Sequence, residues 1–138
     1  MILNTELIKS YYERLPHLIG EMRKNLRKPL TFSEKVLYTH LFNKTCLRFY
    51  KSGIDYVDFA PDRVAMQDAT AQMALLQFIM AGKNASAVPV SVHCDHLIMA
   101  KTGSADDLRT ANVNNKEVYD FLSSICDKYD IDFWKPGA

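Results

Sequence analysis

The sequence is poor in cysteine. Its three, Cys46, Cys94 and Cys126, lie far apart along 138 residues. An odd count with no close pair excludes a disulfide framework and fits a reducing compartment. Long apolar runs are missing: none approaches the roughly 18 residues that a membrane span needs. Net charge is nearly missing too. Seventeen Lys and Arg against 16 Asp and Glu leave +1, so no whole-chain field draws the protein to nucleic acid or to a membrane. Arg23, Lys24, Arg27 and Lys28 form a local basic cluster that reads as a solvated helix face. A nucleic-acid contact there is not the favoured reading. The opening stretch MILNTELIKSYYERL lacks the apolar core of a secretory signal. With Glu6 and Glu13 it also makes a poor transit peptide, so a targeting segment is expected to be either removed or cryptic. There are no repeats and no low-complexity tracts.

What is present fits one soluble domain: apolar residues make up 48% and charged residues 24%. A chain of this length buries roughly two thirds of its unfolded surface, enough for one core. Residues 1–45 read as a helical lead-in. Leu7, Ile8, Tyr11, Tyr12 and Leu15 recur at helical spacing after Thr5, Pro16 predicts a break, and Leu18, Ile19, Met22 and Leu26 resume the stripe. Thr31 with Glu34 forms a capping-box pattern ahead of a stripe of Phe32, Val36, Leu37 and Leu41. Residues 46–138 read as the α/β part. Strands are predicted at 54–60, 63–67, 86–94 and 131–134. A helix at 68–81, apolar almost all round, is predicted to be buried, with Asp68 as its cap and Gly82 as its end. A polar loop follows Gly103, then a helix over 115–130 with Val118, Phe121, Leu122 and Ile125 inward. Strands alternating with helices predict an α/β fold: N-terminal helices followed by a small, mostly parallel sheet flanked by helices.

The stretch SVHCDHL, Ser91–Leu97, concentrates ligand-type side chains. Successive strand residues face opposite ways, so His93, Cys94, Asp95 and His96 do not converge on one ion. Structural zinc also needs a second ligand pair, and His17 and His40 lie on distant helices. No metal site is expected. An Asp-His pair just after a strand suits acid–base work, because ligands of open α/β sheets bind outside the carboxyl ends of strands. Gln67-Asp68, at another strand end, belongs to the same edge.

PDRVAMQDATAQMALLQFIMAG followed by AVPVSVHCDHLI resembles the N-terminal part of the aconitase family, in its mitochondrial branch. So do RKPLTFSEKVLYTHL before these stretches and NKEVYDFL with KYDIDFWKPG after them. The resemblance runs from about Leu18 to Gly137 and implies a partial first domain of that fold. It implies that Gln67 contacts substrate and that Asp95 and His96 support acid–base chemistry. The family dehydrates and rehydrates citrate on a 4Fe–4S cluster. The resemblance places the cluster cysteines, the substrate arginines and the serine base beyond Ala138. Cys94 matches a non-ligand cysteine of the motif, and cluster ligation needs several converging thiolates. No cluster or other cofactor is therefore expected here. LFNKTCLRFYKSGIDYVDFAPDR and MAGKNASAVPV match the family only loosely, and Ala60 stands where an arginine is common.

These observations lead to a chain that is not an enzyme on its own: a truncated, aconitase-derived accessory subunit, or pseudoenzyme, of a larger mitochondrial assembly on the matrix side. Its Gln67, Asp95 and His96 would be vestigial. Expected partners are other protein subunits, of a respiratory complex, the ATP synthase, the mitochondrial ribosome or a metabolic assembly. Two alternatives stand beside this reading. In one, the chain is part of a split aconitase, contributing those three residues to a citrate/isocitrate site that another polypeptide completes. In the other, it is a fragment of an ordinary aconitase.

Overall fold

A computed structural model describes residues 5–44 and 47–138, which fall into two compact units: one up to Pro61, the other from Asp62 to Ala138. Thr45 and Cys46, at the expected end of the helical lead-in, lie outside the described residues.

The first unit is built on α1 (Thr5–Leu26) and α2 (Phe32–Thr39). Pro16 does not break α1; it lies inside it. A mid-helix proline removes one backbone bond and crowds the carbonyl four residues before it. Here Tyr12 and Pro16 both lie on the exposed side, where water can take that carbonyl. The capping box before α2 is present: Thr31 Oγ1 accepts the Glu34 N–H, and the Glu34 carboxylate accepts the Thr31 N–H at 2.8 Å. The hydrogen bond from Lys28, then that from the Thr31 backbone, holds the Glu34 carboxyl down at about 2. Phe32, Val36 and Leu37 of the predicted stripe are turned outward, with Phe32 79% exposed, while Leu41 is buried as expected. Tyr38 and Thr39 are buried with it. Tyr38 decides this: its ring joins Met22, Leu30 and Leu41 in a small core, while its hydroxyl donates to the Arg48 carbonyl and accepts the Tyr50 N–H. The strand expected at 54–60 does not form. Ile54, Tyr56 and Phe59 are exposed and share no buried face, and the segment makes only an isolated antiparallel bridge, Phe59 to Leu41.

The second unit is α/β, as expected. Strands β1 (Val64–Gln67), β2 (Val90–His93) and β3 (Asp132–Trp134) pair in parallel in the order β1-β2-β3. Between them run α3 (Asp68–Met80), α4 (Ser104–Asn114) and α5 (Lys116–Tyr129). Alternation sends Val92 and Cys94 to one face, where they pack with Ala71 and Leu75 of α3 and Leu122, Ile125 and Cys126 of α5. Burying a side chain such as Leu122 contributes about 1.5–3 kcal/mol. Gly82, with φ +65°, takes the left-handed turn after α3 as its position predicted. Asp130 (φ 53°) does the same after α5 and reverses the chain into β3.

Three expectations fail in this unit. The segment after Gly103 is not a loop but helix α4, anchored by Asp107. Helix α3 is not buried all round: Asp68, Ala71 and Leu75 are buried, while Met73, Leu76 and Met80 are exposed. Only one stripe of it meets the sheet and α5. Finally, Gln67 occupies the cap position of α3, and Asp68 is its first residue.

Candidate functional site

Parallel pairing brings three strand ends level. Gln67 is in register with His93, and His93 with Trp134. All three alternate away from the Val92–Cys94 core face, so they form one row on the opposite face at the carboxyl edge. That edge is where open α/β sheets bind ligands. The His93 ring stacks on Trp134 with centroids 5.6 Å apart and planes 17° apart, and its Nε2 lies 3.0 Å from Ser91 Oγ. Ser91 is wholly buried, which pins the imidazole from below.

One residue past β2 the ladder takes a last bond, from Cys94 N–H to the Trp134 carbonyl at 3.0 Å. The chain then reverses. Ile98 N–H donates to the Asp95 carbonyl at 3.3 Å, which places His96 and Leu97 at the corners of a turn. Asp95, His96 and Gln67 are all exposed. The structure thus brings the Gln67 strand end beside the strand leading to Asp95 and His96, but no hydrogen bond or ion pair joins these three side chains. Asp95 also borders an open concavity of about 600 Å³ shared with Lys101, Ser104 and Asp107; Gln67 and His96 do not line it.

Two buried acids hold this edge in shape: Asp68, expected there only as a helix cap, and Asp107, which sequence reasoning missed. Asp68 is 0% exposed. Its Oδ1 accepts the Ala69 N–H at 2.8 Å, and its Oδ2 accepts the Leu97 N–H at 3.3 Å. On the other side Asn115 Nδ2 donates to the Leu97 carbonyl at 3.4 Å. Asp107 gathers the N–H groups of Lys101, Thr102 and Gly103 at 2.8–3.1 Å. These bonds, that from Gly103 foremost, hold its carboxyl below the usual range. The one available signal for Asp107 was position: it lies in the first turn of a helix that follows Gly103. The hydroxyl of Tyr119 is buried with no hydrogen-bond partner. Burial first, then the Asp68 carboxylate and Cys94, push this phenol up.

The two described thiols do not fit an iron–sulfur cluster. Cys94 and Cys126 are free and sit in the core. Burial, then Asp68, pushes Cys94 up to about 12, and burial, then Asp127, pushes Cys126 up to about 11. Cluster ligands are thiolates that converge on one open space, and these are neutral thiols packed among apolar side chains. Among the described residues no group of three or more His, Cys, Asp or Glu is placed to hold a metal ion, and no helix is long and apolar enough to cross a membrane.

Known proteins share this arrangement of motifs. The profile of the aconitase family (aconitate hydratase) matches residues 34–138. The mitochondrial aconitate hydratase of Schizosaccharomyces pombe is 54% identical over 127 residues, which are 92% of this chain and 16% of that protein. The probable mitochondrial aconitate hydratase of Caenorhabditis elegans is 50% identical over 94% of this chain and 17% of its own length. That of Saccharomyces cerevisiae is 50% identical over 92% and 16%. The chain therefore spans about a sixth of the relatives it matches. With a family profile covering β1 to β3 and the whole strand-end row, and with half of all aligned positions identical, the chain belongs to the aconitase family.

Proposed function

We propose that the chain supplies one wall of a mitochondrial aconitate hydratase site and does not turn over substrate unaided. Gln67 binds substrate, and the Asp95–His96 turn supports proton transfer. The observation behind this reading is the register Gln67 to His93, which sets the glutamine and the turn on adjacent strand ends. Cys94 and Cys126 cannot hold the cluster, so its ligands and the remaining substrate contacts come from further polypeptide, covalently continuous or separate. The test mixes the chain with a polypeptide carrying the remainder of an aconitate hydratase and follows the hydration of aconitate. Turnover should appear only in the mixture. A positioned acid–base group is worth roughly 10²–10⁴-fold, so Asp95→Asn or His96→Gln should lower turnover on that scale. A second reading, a non-catalytic subunit of a mitochondrial assembly, is favoured by the exposed Met73, Leu76 and Met80 of α3. Incorporation into such an assembly, with a mixture that stays inactive, would establish it instead.

A further inference from the structure

We infer that Asp68 is a positioning residue for the Asp95–His96 turn, acting through the backbone of Leu97. The role rests on the site proposed above, but the contact itself does not. Asp68 directly follows Gln67, so one dipeptide both faces the strand-end edge and grips the neighbouring turn. Its carboxylate is 0% exposed and reaches across 29 residues of sequence to accept the Leu97 N–H at 3.3 Å. Asn115, at the start of α5, takes the other end of the same peptide unit pair by donating to the Leu97 carbonyl at 3.4 Å. Leu97 is the second corner of the turn that begins at Asp95, and its side chain packs against the core of the unit. Held at N–H, carbonyl and side chain, Leu97 cannot drift, and His96 immediately before it inherits that fixity.

A buried carboxylate is costly unless hydrogen-bonded, and no lysine, arginine or histidine forms an ion pair with Asp68 among the described residues. Asp68 is the first residue of α3 and not its cap, so capping does not account for its burial. Burial directed at Leu97 is what distinguishes this acid. The buried Tyr119 hydroxyl lies near Asp68 and Asn115, which adds a third polar group to this neighbourhood.

The test is amide hydrogen exchange on the folded 138-residue chain, with wild type compared with Asp68→Ala, Asp68→Asn and Asn115→Ala. With that hydrogen bond removed, exchange at Leu97 should rise about tenfold or more in Asp68→Ala. Asn115→Ala should raise it in the same direction. Amides of Val92 and Leu122 should be unmoved in both. Asp68→Asn keeps one oxygen in place and should restore most of the protection. The His96 ring resonances should shift in Asp68→Ala and return in Asp68→Asn. If Asp68→Ala does not fold, Asp68→Ser, whose side chain is too short to span to Leu97, takes its place and is judged by the same criteria. Unchanged Leu97 exchange overturns the proposal. So does an equal rise at Val92 and Leu122, which would make Asp68 a general stabiliser, and so does a His96 ring that ignores every variant. Exchange needs no substrate, so its failure leaves the proposed function standing, and an inactive mixture leaves the clamp standing.

Discussion

Cys94 stands one position before Asp95, yet the two side chains live in different media. Alternation along β2 turns the thiol into the core, while the backbone reversal leaves the carboxylate in solvent. The consequence is a stability term that depends on alkalinity. Folding raises Cys94 to about 12 and Cys126 to about 11 from an ordinary 9.0. The folded chain therefore retains protons that the unfolded chain releases. This contribution is complete below pH 9 and is lost as pH rises toward 11–12. The denaturation midpoint should fall steadily above pH 9, and Cys126→Ala should flatten that decline while lowering the midpoint at neutral pH. Alkylating reagents at pH 8 should label neither thiol until the chain unfolds. Rapid labelling of the folded protein at Cys94 would show that the core face has been assigned wrongly.

Among the helices, α5 and α3 differ in what their apolar residues do. Leu122 of α5 is 0% exposed and Leu76 of α3 is 42% exposed. Leu122→Ala should cost about 2–5 kcal/mol, as large-to-small changes in a packed core do. Leu76→Ala should stay below about 1 kcal/mol, and urea titration of the two variants gives the comparison. A sequence declares what local chemistry decides. The Thr31–Glu34 box, the left-handed Gly82, the stripe of α5 and the ends of the three strands were all legible for that reason. It does not declare which side of an evenly apolar helix will find a neighbour, and α3 was misread there. Helix α4 was hidden because its apolar stripe is short and its start depends on Asp107 gathering three N–H groups of the preceding loop. Residues 54–60 carried strand-like residues but no partner strand. At the candidate site, the strand ends that carry Gln67, Asp95 and His96 were legible through their motifs. The Asp68–Leu97–Asn115 contact was not, because it closes across long stretches of sequence that no local pattern connects.

For the molecule as a whole, the balance of covered and uncovered surface matters most. Met73, Leu76 and Met80 recur along one side of α3 and are 42–78% exposed. Contiguous exposed apolar surface marks contact regions or aggregation liabilities. The isolated chain should accordingly bind a hydrophobic dye while folded. Replacing Met73→Gln and Met80→Gln together should cut that signal severalfold and shift the thermal midpoint little. A double variant that unfolds would mean these residues are core. Trp134 adds an optical dimension. It is the single tryptophan of the sequence, and it lies face to face with His93 in the strand-end row. The β2–β3 pairing that seats it joins Ser91 to Asp132, a longer closure than Val64 to Val90 across β1–β2, and longer closures cost more entropy and come later in assembly. Indole emission in a refolding experiment should thus report the arrival of β3, and an emission change that precedes protection of the β1–β2 amides would show that β3 does not come last.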